Sequence, residues 1–232
     1  MTKQKTPEAE DLYAALTPSL RALAVRGVIR RYAKKTVLIS EGDDGGSVFV
    51  LLTGSVKAYA MDTSSREITY GVISAGDYFG EMSLDGGPRS ASIMTLEPSA
   101  CAVVSRRDVA EHLSSEPEFA LDLVAKVIQR ARAATDVARS MALLDVYSRM
   151  VAVLQEDLAV ADYVIQPKRK TQTEEPALLE PRVLECTHLD IASRIGASRE
   201  AISRILKQLE HSGHVILSSK RITLLKKLPA QL

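Results

Sequence analysis

The chain has 232 residues, 46% hydrophobic and 25% charged, with a formal net charge of +1. That balance excludes a disordered or fibrous chain and gives enough length for two folded domains. No run of about 18 apolar residues occurs, so no membrane span is expected.

The opening residues, MTKQKTPEAEDLY, lack the apolar core of a signal peptide. Residues 8–24 read as one or two short helices broken at Thr17-Pro18, since proline suits a first helical turn. From Val28 short β-branched runs take over: Val28–Tyr32, Thr36–Ser40, Val48–Leu52, Ser55–Ala60, Glu67–Ile73, Ala91–Thr95 and Ala102–Val104. Turn-forming stretches such as Glu41–Gly46, Thr53-Gly54, Ala75–Asp77 and Asp85–Pro88 separate them, a spacing that predicts an all-β barrel or sandwich. Arg106–Leu113 reads as a short helix.

A long helix is predicted from about Glu118 to Asp145, free of Gly and Pro and rich in Ala, Leu, Arg and Met. Leu121, Val124, Ile128, Ala131, Thr135, Ala138 and Ala142 recur at alternating steps of three and four, which is a coiled-coil seam. A second apolar row, Leu123, Val127, Ala134 and Met141, would hold the helix to its own domain. Periodicity alone also suits a buried core helix and favours it.

A helix follows from Val146 to about Ala161, then a polar, proline-containing loop at 166–181 and a strand at Val183–Cys186. Helices Leu189–Ile195 and Arg199–His211 are joined by a tight turn at Gly196. Gly213 closes the second helix, and His214–Leu217 and Arg221–Leu225 form a hairpin. From Thr187 onward there are eight Lys or Arg against three Asp or Glu, a local balance of +5 that suits a polyanion.

Two stretches carry chemistry. In Tyr78-Phe-Gly-Glu-Met-Ser-Leu-Asp-Gly-Gly-Pro-Arg-Ser-Ala91, Glu81 can accept from a sugar hydroxyl, the Arg89 fork can pair two phosphate oxygens, and Ser90 adds a donor. The same residues suit an ordinary turn with a structural Arg89–Glu81 pair, and chemistry alone favours that plainer reading. In Thr187–Glu210, Thr187 caps the first helix with Asp190 three residues on, and Ser198 caps the second. Ile202, Ile205, Leu206 and Leu209 face inward; Arg199, Glu200, Ser203, Arg204 and Lys207 face out. With the hairpin this makes a winged helix-turn-helix. Arginine can pair with guanine O6 and N7 and glutamate with cytosine N4, while Lys207, Ser198 and Thr187 suit phosphates.

Metal and catalytic readings fall away. Four histidines and two cysteines, Cys101 and Cys186, lack zinc spacing, and no Ser-His-Asp or paired-carboxylate arrangement stands out, so neither a metal site nor an enzyme is expected. Two cysteines are also too few for a disulfide framework and fit a reducing, cytoplasmic setting.

Phe79-Gly-Glu-Met82 followed by Pro88-Arg-Ser-Ala91 resembles the phosphate-binding cassette of cyclic-nucleotide-binding domains. With the helix-turn-helix, the whole chain is similar to the Crp/Fnr family of bacterial transcription regulators. The resemblance implies an α+β fold: a jelly-roll-like, cyclic-nucleotide-binding β-roll (residues 1–117), a dimerisation helix and hinge (118–145) and a winged helix-turn-helix DNA-binding domain (146–232). It implies that Gly80, Glu81 and Met82 line a ribose and that Arg89 and Ser90 hold a cyclic phosphate. It carries Arg130 over as a match and puts Ala134 and Thr135 where the family has an adenine-contacting hydroxyl pair. Thr135 keeps a hydroxyl, though a small seam residue is an equal reading. The connection from Glu81 to Arg89 is shorter than in the family. Arg199-Glu200 and Arg204 match reading residues that imply a palindromic TGTGA-like site. The resemblance thus implies a homodimer that binds double-stranded DNA, answers to cyclic AMP, and works with RNA polymerase. Cyclic di-GMP or no effector at all are the alternatives within the family, and a signalling adaptor that binds no DNA is the alternative outside it.

Overall fold

Valine, leucine and phenylalanine run without a polar break along Val48–Leu52, and a strand of that kind must be covered on both faces. A computed structural model, which describes residues 12–64, 66–165, 182–229 and 231–232, shows what covers it. The helical turn expected at residues 8–11 and the polar loop at 166–181 lie outside the described residues.

The chain divides into two compact units, one of Met1–Ala60 with Thr69–Ala134 and one of Met61–Ile68 with Thr135–Leu232. In the first unit α1 (Pro18–Ala24) starts on Thr17, whose hydroxyl accepts from Leu20 N, with Pro18 where no N–H is needed. Strands β1 (Val28–Tyr32), β2 (Val37–Ile39), β3 (Ser47–Thr53), β4 (Ser55–Met61), β5 (Glu67–Ser74), β6 (Tyr78–Phe79), β7 (Ser92–Thr95) and β8 (Ser99–Ser105) follow. They form two four-stranded sheets, ordered β1-β8-β3-β6 and β2-β7-β4-β5, the β-roll that the family resemblance implies.

β3 sits inside the first sheet, and its two faces serve two cores. Val48, Val50 and Leu52 pack with Leu20, Leu23, Ala102, Val104 and Phe119 on the helical side. Phe49 and Leu51 pack with Ile39, Val56, Phe79, Ile93 and Cys101 between the sheets. The register Val48↔Val104 and Val50↔Ala102 keeps like faces together. Each fully buried side chain of this kind contributes roughly 1.5–3 kcal/mol.

β8 runs directly into α2 (Arg106–Ser115), capped by Ser105, and then α3 (Pro117–Leu143) begins. Phe119 is the buried residue of α3: its ring lies 5.7 Å from Tyr78 and 5.0 Å from His112, fixing the start of the helix to the roll.

In the second unit α4 (Val146–Ile165) buries Tyr147, Met150 and Leu154 against α5 (His188–Ile195) and α6 (Arg199–His211). β9 (Arg182–Leu184), β10 (Val215–Ser218) and β11 (Arg221–Leu224) make a small sheet ordered β10-β11-β9. Arg194 of α5 grips Asp157 of α4 with Nη1, at 2.9 and 2.7 Å from the two carboxylate oxygens. Gly196 ends α5 at φ +63°, and a Cβ there would come within 2.5 Å of Met141 Cε. A left-handed turn this crowded needs glycine.

Candidate effector site and DNA interface

The cassette is organised by a second glycine. Gly80 leaves β6 at φ +88°, and a Cβ there would meet Arg89 Nη1 at 2.8 Å. The one helical turn that follows, Glu81–Ser83, turns Glu81 inward and leaves Met82 46% exposed. Arg89 is buried, and its fork is already engaged: Nη1 donates to Gly80 O at 2.8 Å and Nη2 to Ser47 O at 3.0 Å. Ser90 beside it is exposed. Burial lowers the Arg89 pKa, and the Glu81 and Asp43 carboxylates oppose that shift.

Glu81 does not pair with Arg89, as a plain turn would require. Its carboxylate pairs with Arg130 of α3, whose Nη2 also donates to Tyr78 O at 3.1 Å. The second carboxylate oxygen, Oε2, is buried without a hydrogen-bond partner. A buried acceptor without a donor is costly, and a hydroxyl or another donor placed against it would satisfy it.

The sequence reading missed three residues here. Lys126, one turn before Arg130, pairs with Asp77 and lies 4.6 Å above the Tyr78 ring. Burial, then the Arg130 guanidinium, pushes the Lys126 ammonium down to about 8. Burial and the Glu81 carboxylate push the Tyr78 phenol up to about 12. The available signal was the spacing: Lys126 and Arg130 are four apart on the side of the helix that carries Leu123 and Val127.

Ala134 and Thr135 come one turn beyond Arg130, both at exposed positions. The seam is exposed too, with Leu121 at 72%, Val124 at 55% and Ile128 at 45%. A buried core helix, which periodicity favoured, is therefore not what α3 is. Its coiled-coil stripe is uncovered in the single chain.

In the second unit the capping box forms as expected. Asp190 N donates to Thr187 Oγ1 at 3.1 Å, and Thr187 N donates to Asp190 Oδ2 at 2.8 Å. Ser198 Oγ accepts from Ala201 N at 3.1 Å. Ser198 thus spends one bond on its cap and Thr187 two, since Thr187 Oγ1 also donates to Asp190 Oδ2 at 2.6 Å. Ile202, Leu206 and Leu209 are fully buried, which turns Arg199, Glu200, Arg204 and Lys207 outward. These four, with Ser203, line one open depression of about 430 Å³. Ser203 departs from expectation: it is half-buried, and its Oγ is hydrogen-bonded to His188 Nδ1 at 2.9 Å. A second depression of about 410 Å³ lies between the wing and α5, lined by Thr187, His188, Arg199, Ser219, Lys220 and Arg221 among others. Among the described residues no cluster of three or more His, Cys, Asp or Glu is grouped to hold a metal ion, and no helix is long and apolar enough to cross a membrane.

Residues 29–116 match the family model of the cyclic nucleotide-binding domain, and residues 148–228 match the Crp-like helix-turn-helix domain. The chain belongs to the Crp/Fnr family. This Crp/Fnr regulator is 26% identical over 210 residues to the cAMP-activated global transcriptional regulator CRP of Pasteurella multocida, across 90% of this chain and 95% of that one. It is 29% identical over 196 residues to the cAMP-activated global transcriptional regulator Vfr of Pseudomonas aeruginosa, across 82% and 86% of the two chains. Among solved structures, the c-di-GMP responsive global regulator CLP of Xanthomonas campestris superposes with a TM-score of 0.73 at 24% identity, covering 90% of this chain and 99% of that one. The Crp/Fnr chain is accordingly a DNA-binding transcription regulator with a cyclic-nucleotide-binding domain, and the relatives it matches are regulators rather than enzymes.

Proposed function

We propose that this regulator is a homodimer in which a cyclic nucleotide, cyclic AMP in the first place, binds the β-roll and controls binding of the C-terminal domain to a palindromic TGTGA-like site. The observation that carries the effector reading is Glu81, a buried carboxylate with one oxygen paired to Arg130 and the other without a partner. A ribose hydroxyl supplies the missing donor, and a cyclic phosphate supplies the anion for the buried guanidinium of Arg89. Gly80 O, Ser47 O and Ser47 Oγ take at most three of the five Arg89 N–H groups, which leaves donors for the phosphate. Gly80 and Met82 would line the sugar, Ser90 would reach the phosphate, and Ala134 and Thr135 would face the base.

Cyclic AMP is preferred because two relatives that the chain matches over most of its length are named as cAMP-activated. Cyclic di-GMP is the second reading, favoured by the CLP likeness and by two departures of this chain: the short Glu81-to-Arg89 connection and the missing hydroxyl at Ala134. The exposed α3 seam supports the dimer. The outward Arg199, Glu200 and Arg204 support direct base readout, with Thr187, Ser198 and Lys207 at phosphates. RNA polymerase is the further partner this reading implies, in the cytoplasm.

Calorimetric titration with cyclic AMP and with cyclic di-GMP tests the proposal. Wild type is expected to bind cyclic AMP, and Arg89→Ala to lose it while sedimenting as a dimer. Binding by Arg89→Ala within about threefold of wild type places the ligand elsewhere. Heat from cyclic di-GMP alone replaces the first effector by the second.

A further inference from the structure

We propose that His188 is a positioning residue of the reading helix: it fixes the Ser203 hydroxyl so that Ser203 reads one base of the half-site. This rests on the DNA-binding reading above and goes beyond it, because His188 belongs to α5, not to the helix that faces DNA.

Ser203 stands one turn after Arg199 and one turn before Lys207, in the same depression as Glu200 and Arg204. A serine hydroxyl left to itself rotates among three staggered positions and can donate or accept, so it discriminates bases poorly. The 2.9 Å bond to His188 Nδ1 removes that freedom. The imidazole is itself held. It follows Thr187 directly, and the Thr187–Asp190 capping box pins the start of α5.

The charged surroundings are mostly cationic. Arg199 and Lys207 of α6 stand near the ring, and Lys220 and Arg221 of the wing line the same groove. Glu185 of the wing side is paired with Arg221, and Asp190 on the ring's own helix is spent on the cap. Burial and the two α6 cations lower the His188 pKa, which favours the neutral ring.

In a neutral imidazole one nitrogen donates and the other accepts. The role of Nδ1 therefore sets whether Ser203 offers DNA a hydrogen or a lone pair. A hydrogen suits guanine N7 and O6 or thymine O4; a lone pair suits the amino groups of cytosine and adenine. Protonation turns both nitrogens into donors and commits the Ser203 hydrogen to DNA.

The test is selection from a duplex pool randomised over both half-sites, run with wild type, Ser203→Ala, His188→Ala and His188→Asn. Affinity is then measured on the selected palindrome and on a scrambled duplex. Ser203→Ala and His188→Ala are expected to relax preference at the same base pair. Each should lose about 3- to 10-fold on the selected site and nothing on the scrambled one, with the double variant no worse than either. His188→Asn, whose amide can bond the same hydroxyl, is expected to restore the preference. The wild-type preference at that base should shift between pH 8 and pH 5.5, and the shift should be absent in His188→Asn. Equal losses on both duplexes make His188 a plain phosphate contact and overturn the proposal, as does additivity of the two substitutions. If His188→Ala does not fold, the pH comparison between wild type and His188→Asn decides. A wild type that enriches no sequence at all defeats the DNA reading itself; enrichment indifferent to His188 defeats only this inference.

Discussion

Arg130→Met perturbs a charged contact that ties the long helix to the cassette. In the native chain the Arg130 guanidinium meets a Glu81 side chain with 0% exposure, while its own side chain is 29% exposed. It also donates to Tyr78 O at 3.1 Å. Methionine keeps most of the aliphatic stem, so the loss is chiefly electrostatic. Glu81 would then hold a buried charge with neither oxygen paired, since Oε2 already lacks a partner. Breaking a buried pair from one side costs about 3–5 kcal/mol, a large share of the roughly 5–15 kcal/mol that a folded protein has in total. Neutralising the stranded group should recover most of it: Arg130→Met with Glu81→Gln is expected to fall only about 1 kcal/mol below wild type, close to a lost hydrogen bond. The assay is urea unfolding of the four proteins of the cycle at one fixed protein concentration, because a dimer's apparent stability depends on it. A single-variant deficit below about 1 kcal/mol, or a double variant no more stable than Arg130→Met, would refute the idea that the pair is a buried, mutually dependent unit.

His112 is 1% exposed against Phe119, and burial, then Arg26, lowers its pKa below the usual 6.5. The folded roll therefore holds it neutral while the unfolded chain takes up a proton near 6.5, so stability is full above that pH and is lost as pH falls through it. Melting temperatures from pH 7.5 to 5.5 should drop in wild type and drop less in His112→Leu; parallel curves would assign the acid sensitivity to other groups. At the DNA interface, Arg199→Ala should cost roughly 1–3 kcal/mol on the selected site and relax one base preference. Lys207→Ala should instead weaken all duplexes evenly and reduce the salt slope by about one; loss of affinity in both without any change of preference would rule out direct readout by Arg199.

Most strands were legible because β-branched runs and Gly-containing turns alternate, and local steric preference decides both. β6 was not, because two residues show no period. It exists through long-range packing: Phe79 stacks on Phe49 with centroids 5.1 Å apart and pairs with β3 inside what reads as a turn. The cassette residues were visible, but the choice of partner was not. Arg89 turned to the carbonyls of Gly80 and Ser47, and Glu81 took a guanidinium from α3, a choice settled by where the helix docks rather than by spacing. In the same way helical periodicity put Ser203 on the open face of α6, and only the approach of α5 brings His188 over it. Lys126 and Asp77 escaped notice because each is unremarkable beside its own sequence neighbours.

An effector bound in the roll is expected to change the grip on DNA. This is tested by measuring affinity for a TGTGA palindrome with and without saturating cyclic AMP, in wild type and in Thr135→Ala. Coupling of this kind is typically 1–3 kcal/mol, and so the wild type should bind the palindrome about 5- to 150-fold more tightly with the nucleotide, with DNA raising nucleotide affinity by the same factor. Thr135→Ala should shrink that factor more than it changes affinity without ligand. Equal wild-type affinity in the presence and absence of cyclic AMP would contradict cyclic AMP as the switch.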